Sequence, residues 1–295
     1  MSYIGRFAPS PTGPLHIGSL IAAVASYLQA RTHQGKWLVR MEDLDPPREV
    51  TGAADAILTS LDEFGFEWDG QVTYQSHRLE VYEEAVRQLL ARERAYPCGC
   101  SRAEISSTGK LTRYGIRYAG TCRQGVRASR KNHSIRLIVP DKCVGFTDSI
   151  QGRYEQNLLR DIGDFVIKRA DKQIAYQLAV VIDDAWQSIT EVVRGCDLLD
   201  STPRQIYLQE QLAYTSPDYA HIPVIINAQG NKLSKQTGAR AIDAKSAGAF
   251  LVHALSYLNQ QPPASLEHES VDTIWRWAME HWQLQRVCNQ RVINE

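Results

Sequence analysis

The chain of 295 residues has no long apolar run. Its longest near-apolar stretch, residues 20–28, reaches about half of the roughly 20 residues a helix needs to cross a bilayer, so no membrane span is expected. The first residues, Met1-Ser2-Tyr3-Ile4-Gly5-Arg6, lack the basic start and apolar centre of a secretory signal, so the default location is the cytoplasm. Neither GxGxxG nor GxxxxGK(S/T) occurs, which argues against a dinucleotide or P-loop site. There is no internal repeat and no low-complexity segment. Net charge is also lacking, with 33 Lys plus Arg against 33 Asp plus Glu, and this excludes a uniformly basic nucleic-acid coat. A local basic patch balanced by acid elsewhere is still allowed. Cysteine is sparse: the six residues at 98, 100, 122, 143, 196 and 288 fit free thiols or metal ligands better than a disulfide framework.

What is present is ordinary globular material, 43% hydrophobic and 22% charged, in a length suited to about two domains. Residues 3–8 predict a strand, broken by Pro9-Ser10-Pro11-Thr12-Gly13-Pro14. A helix follows from Ile17, with Leu20, Ile21, Val24 and Leu28 at helical spacing, and residues 37–41 predict a second strand. This β-α-β opening favours a parallel sheet with ligands beyond the carboxyl ends of its strands. Helices are expected over 52–64 and 78–94. Strands are expected over 135–139, 164–169, 175–182, 189–193 and 222–226. A helix opened by Ser201-Thr202-Pro203 uses a capping hydroxyl before proline. The tail from about 240 reads as helices, with Trp275, Met279 and Trp282 on one buried face.

Two segments suggest nucleotide chemistry. In Pro11-Thr12-Gly13-Pro14-Leu15-His16-Ile17-Gly18 a strand turns sharply into a helix, whose free N–H groups and dipole favour a phosphate. Gly18 would admit the nucleotide close to the backbone and His16 could donate to the phosphate; alternatively His16 simply caps the helix. In Lys232-Leu233-Ser234-Lys235-Gln236, after the turn-forming Gln229-Gly230-Asn231, two lysines three apart can neutralise charge developing on a polyphosphate, or can be solvated loop charge.

Taken together, the two segments resemble the HIGH and KMSKS signatures of the class I aminoacyl-tRNA synthetases. Ser19 stands for the final His of the first, Leu233 for Met and Gln236 for the closing Ser of the second. Residues 6–13, Arg40-Met41-Glu42-Asp43-Leu44-Asp45 and Val193-Arg194-Gly195 resemble the glutamyl subgroup. The nearest resemblance is to its short paralogues, which lack an anticodon-binding domain and act on queuosine in tRNA(Asp). Only 59 residues follow Gln236, too few for such a domain.

The resemblance implies ATP-driven activation of L-glutamate and esterification of a hydroxyl on the cyclopentene ring of queuosine at the wobble position of tRNA(Asp). It implies catalytic roles for His16, Lys232 and Lys235, and an ATP site of Pro11, Thr12, Gly13, His16, Gly18, Ser234 and Lys235. The implied glutamate site comprises Arg6, Phe7, Ala8, Pro9, Ser10, Glu42, Tyr176 and Arg194, with Glu42 on the ammonium. These residue types suit the substrate, since guanidinium groups match its two carboxylates and a carboxylate its ammonium. Mg2+ is expected with ATP. A short enzyme charging the 3′ end of tRNA(Glu), a noncatalytic RNA-binding descendant and a nucleotidyltransferase are the alternatives.

Cys98-Gly99-Cys100 with Cys122 could bind zinc or be inert thiols, with Cys143 and His133 as rival ligands. The resemblance implies a structural zinc on Cys98, Cys100, Tyr118 and Cys122. Between residues 102 and 136 there are nine basic residues and one acid, Glu104, leaving 24 basic against 32 acidic residues elsewhere. Such a segment suits phosphate contacts, and Tyr114 or Tyr118 could stack on a base. The fold class expected is α/β: a split Rossmann-like catalytic domain (residues 1–71 and 186–228), an inserted zinc-bearing α/β domain (72–185), and a lysine loop with helical tail (229–295). The partners expected are ATP, glutamate and queuosine-bearing tRNA(Asp), with no membrane and a single chain at work.

Overall fold

The computed structural model describes residues 2–126, 133–227 and 242–294. Strand β1 (Ile4–Phe7) leads through the proline-rich turn into helix α1 (Ile17–Thr32), which returns as β2 (Lys36–Met41) parallel to β1. Helix α2 (Ala53–Glu63) carries the chain to β3 (Thr73–Tyr74), parallel to β2. Leu20, Ile21, Ala23, Val24, Tyr27, Leu28 and Ala30 of α1 are all buried, so this helix is apolar on most of its circumference. A helix of that kind belongs in the middle of a domain rather than on its surface.

The next segment builds a second body. It comprises α3 (Leu79–Ala91), β4 (Ala95–Cys98), α4 (Arg102–Thr108), the hairpin β5 (Lys110–Thr112) and β6 (Gly115–Arg117), and β7 (Ser134–Leu137). Then come the hairpin β8 (Cys143–Asp148) and β9 (Gly152–Asn157), and β10 (Phe165–Lys168). An antiparallel sheet of order β10-β7-β4 packs its apolar side into a core of Tyr82, Leu89, Leu137, Ile167, Leu178 and Leu208. The strand expected over 175–182 is instead part of helix α5 (Tyr176–Trp186). Leu178 through Asp184 are buried on every side, which removes both the strand alternation and the helical stripe from the sequence; only the continuation of the run to Trp186 distinguishes the two.

β11 (Glu191–Gly195) opens a second parallel pair, and the residue before it ties it to β1, for Thr190 N donates to Ile4 O at 2.9 Å and Ile4 N to Thr190 Oγ1 at 2.9 Å. Helix α6 (Thr202–Leu212) carries Pro203 in its first turn as expected. Ser201 does not cap it, because residues Cys196–Ser201 already form a 3-10 turn that runs into the helix. β12 (Asp218–Ile222) pairs in parallel with β11, and Pro223 separates it from β13 (Val224–Ile226), so the single strand expected over 222–226 is the junction of two.

Helices α7 (Ala247–Tyr257) and α8 (Val271–His281) share the core of α1, and β14 (Val292–Asn294) closes against β13. Trp275 Nε1 donates to Phe64 O at 2.9 Å and Trp282 Nε1 to Gln29 Oε1 at 2.8 Å. Met279 departs from the expected stripe and is 40% exposed. Trp282 lies beyond the helical residues on extended backbone, so it enters the core without sharing the helical face of Met279. Among the described residues no helix is long and apolar enough to cross a membrane.

Candidate functional site

The start of α1 and the carboxyl ends of β1, β2 and β11 open on one cleft of about 810 Å3. Arg6, Phe7, Ala8, Pro9, Ser10, Thr12, His16, Gly18, Glu42, Tyr176 and Arg194 all line it, so residues up to 188 positions apart meet in one space. Pro11 and Gly13 shape the turn behind the wall. Pro11 O accepts from Val50 N at 3.0 Å, and Gly13 adopts φ +131°, a conformation that favours glycine. Lys232, Ser234 and Lys235, with Leu233 and Gln236, lie outside the described residues.

One side of the cleft is a buried ion network. Asp184, on α5, accepts from Arg6 Nε at 3.2 Å and from Arg40 NH2 at 2.7 Å, and its carboxyl is pulled below the usual range by those two guanidinium groups against the opposing effect of burial. Its neighbour Asp183 is wholly buried and accepts from Gln75 Nε2 at 2.8 Å, Arg78 Nε at 2.8 Å and Tyr82 Oη at 2.7 Å. Glu42 is tied to the strand-one turn by its backbone N–H, which donates to Pro9 O at 2.9 Å. Its Oε1 lies 3.5 Å from Arg40 and accepts no hydrogen bond. Burial pushes the Glu42 carboxyl up to about 7, although Arg40 and Arg6 pull the other way. A buried carboxyl with an unspent oxygen on a cleft wall is a receptor for a cation, and an arriving ammonium would favour its ionised form.

Across the cleft, Arg194 is 5% exposed and held on three sides. Nε donates to His221 Nε2 at 3.0 Å, and NH2 donates to Thr202 Oγ1 at 2.9 Å and Gln205 Oε1 at 2.7 Å. NH1 lies 3.4 Å from the Tyr176 hydroxyl. Arg194 is thus a fixed guanidinium rather than a surface ion pair. At the start of α1, His16 is the N-cap residue: its Nδ1 accepts from Ser19 N at 3.3 Å and its Nε2 lies 3.1 Å from Ser19 Oγ. His16 therefore caps the helix and lines the cleft at once.

The four expected metal ligands converge in the second body. The thiols of Cys98, Cys100 and Cys122 lie within 4.8 Å of one another, and Cys100 and Cys122 sulfurs are 3.5 Å apart. Tyr118 Oη is 3.2 Å from Cys98 Sγ and 3.6 Å from Cys100 Sγ, and accepts from Cys122 N at 3.0 Å. Ligands about 2.3 Å from a tetrahedral zinc stand at comparable mutual separations, so this donor set fits that ion. The rivals Cys143 and His133 are not in the thiol group. Gly163 makes the cluster possible. Its φ is +73°, and a Cβ there would lie 2.3 Å from Tyr118 O, so only glycine lets the chain pass this closely.

The basic segment is partly spent inside the protein. Arg123 pairs with Asp164, and Arg136 is buried with its guanidinium 3.9 Å above the Tyr118 ring. Tyr118 is 4% exposed and has no face to offer a nucleobase, which corrects that expectation. Arg127, Arg130 and Lys131 lie outside the described residues. Several residues of the site carried no signal in the sequence: Asp148, Asp183, Asp184, Thr202, Gln205 and His221 are isolated polar positions in apolar runs or loops, and only the fold brings them together.

Parallel strands on both sides of an antiparallel body inserted between β3 and β11, with a cleft over their carboxyl ends, mark the class I synthetase catalytic fold. Residues 4–255 match the catalytic domain of the class I tRNA synthetases (E and Q), and the chain belongs to that family. More narrowly, it belongs with the glutamyl-Q tRNA(Asp) synthetases. It is 55% identical over 293 residues to the glutamyl-Q tRNA(Asp) synthetase of Dechloromonas aromatica, covering 99% of this chain and 97% of the relative. It is 53% identical to that of Chromobacterium violaceum over 97% of this chain and 95% of the relative. The fold is similar to a glutamate-tRNA synthetase from Elizabethkingia anophelis, with a TM-score of 0.82 at 24% identity over 100% of this chain and 68% of that one.

Proposed function

We propose that this protein activates L-glutamate with ATP and esterifies the product to a hydroxyl of the cyclopentenediol ring of queuosine at the wobble position of tRNA(Asp). The carrying observation is the single cleft that joins the α1 start to Arg6, Glu42, Tyr176 and Arg194. Arg6 and Arg194 neutralise the two carboxylates of glutamate, Glu42 takes its ammonium, and Phe7, Ala8, Pro9 and Ser10 form the wall between. Pro11, Thr12, Gly13, His16 and Gly18 shape the ATP side, where the helix start favours phosphate.

A carboxylate oxygen of glutamate attacks the α-phosphorus in line, pyrophosphate leaves, and the acyl adenylate then passes its acyl group to the ring hydroxyl with release of AMP. Protein catalysis is positioning and charge stabilisation. Ser234 and Lys235 complete the ATP site, Lys235, helped by Lys232, stabilises the transition state, and Mg2+ accompanies ATP. Zinc held by Cys98, Cys100, Tyr118 and Cys122 is structural: it supplies cross-linking to a body whose own small core there is Tyr96, Cys98, Tyr118 and Cys122. The domain division proposed is a catalytic unit of residues 1–71 and 186–228, which β3 (Thr73–Tyr74) carries past the expected boundary by pairing with β2, an insertion up to residue 185 that faces RNA, and a segment of 229–295 with the two lysines and the helical tail, in one chain that acts alone. Glutamate-dependent ATP–pyrophosphate exchange tests the first half of the reaction. Exchange with glutamate and none with glutamine or aspartate is expected; no exchange with any amino acid overturns the reading.

A further inference from the structure

Two buried residues outside the implied glutamate set stand directly behind Arg194. Asp148, on β8, and His221, on β12, are both fully buried side chains, and His221 Nδ1 lies 2.6 Å from Asp148 Oδ2. Asp148 Oδ1 also accepts from the backbone N–H groups of His221, Ile150 and Gln151. The partners dictate the tautomer. Arginine can only donate, so His221 Nε2 must accept from Arg194 Nε; an ionised carboxylate can only accept, so Nδ1 carries the proton. His221 is therefore neutral, with the proton on the Asp148 side. Thr202 Oγ1, 3.2 Å from the same Nε2, receives Arg194 NH2 and directs its own proton to Leu198 O at 3.3 Å.

Three of the five N–H groups of Arg194 can now be assigned. Nε–H goes to His221 and the two on NH2 go to Thr202 and Gln205, which consumes both edges that include NH2 or Nε. Only NH1 is left toward the cleft, beside the Tyr176 hydroxyl. We propose that the Asp148–His221 pair is a positioning device that fixes Arg194 through one neutral, oriented acceptor, so that Arg194 meets a substrate carboxylate end-on through NH1. This inference rests on the glutamate-activating reading of the same cleft. The surroundings favour a neutral ring: burial, with Arg194 beside it, drives His221 down to about 4 even though Asp148 pulls it up. Asp197 is the other charged group that acts on it, and the Tyr219 ring stacks on its face. A protonated ring would lose its acceptor and place a second cation against Arg194.

The test joins kinetics with spectroscopy. His221→Leu should raise the KM for glutamate by about tenfold or more while the KM for ATP moves less than about twofold, since a hydrogen bond to a charged group is lost on one side of the cleft only. His221→Gln, which can place an oxygen near the Nε2 position, should recover most of that loss. On an Arg194→Ala background, His221→Leu should add little, because the two act as one unit. Equal changes in both KM values, or full additivity with Arg194→Ala, would overturn the proposal. Nitrogen-15 NMR of the wild-type protein supplies an outcome independent of activity. A proton on Nδ1 and a bare Nε2 at pH 7 support the device, whereas an imidazolium or an Nε2–H overturns it even if the exchange assay succeeds. Should wild-type exchange fail, the glutamate reading falls while the spectrum still decides the state of the pair.

Discussion

Arg6 and Asp184, 178 residues apart in the chain, meet at 3.2 Å beneath the cleft, where Asp184 also holds Arg40 at 2.7 Å. One buried carboxylate thus orients two buried guanidinium groups, and only one of them lines the substrate space. Breaking a buried pair from one side strands the remaining charge. Asp184→Asn should therefore cost about 3–5 kcal/mol of stability by denaturant titration and raise the KM for glutamate more than that for ATP. The sign with pH follows from the lowered Asp184 pKa: its contribution is present above the unfolded carboxyl range and is lost as pH falls through the lower folded value. Asn at this position should flatten that acid limb.

Glu42 titrates in the opposite direction. Burial raises it to about 7, so the free protein holds a proton there that an unfolded carboxyl would have released. Ionising Glu42 between the unfolded value and 7 therefore destabilises the fold as pH rises through that window. Binding of an ammonium needs the ionised form. kcat/KM for glutamate should fall about tenfold per unit as pH drops below about 7, and Glu42→Gln should abolish this limb together with most of the activity. A flat profile between pH 5.5 and 8 contradicts the ammonium role.

The thiol cluster predicts a metal content. Protein as purified should carry about one zinc per chain, and Cys98→Ser or Cys122→Ser should reduce it sharply with a lower melting temperature. Unchanged occupancy by elemental analysis in both variants means that other ligands hold the ion.

Lys235→Ala should lower glutamate-dependent ATP–pyrophosphate exchange by about 10²–10³-fold with an unchanged melting temperature. Near-normal exchange removes the lysine from the transition state.

Features that depend on short, local chemistry are legible in the sequence. The β-α-β opening, the helix start at His16 and the Cys-x-Cys pair are each written in a few adjacent residues, and each is found in the structure where expected. The resemblance to known synthetases supplied Glu42, Tyr176 and Arg194, which spacing alone would not have joined. What stayed hidden depends on burial from all sides. α5 reads as a strand because its apolar residues show no period, and nothing in the sequence marks Asp183 and Asp184 near its end, although they anchor four arginine contacts. Pro223 and the turn Cys196–Ser201 misplaced element ends, as strong local breakers do when tertiary packing continues through them. From its place in the sequence Tyr118 suits either a ligand or a stacking platform, and its burial excludes the second.

The identity of the acceptor is the central claim, and it is decided by offering purified protein ATP and labelled glutamate together with tRNA(Asp) with queuosine, tRNA(Asp) without it, and tRNA(Glu). Label on the queuosine-containing tRNA(Asp) alone is predicted. Label on the 3′ end of tRNA(Glu) would contradict it.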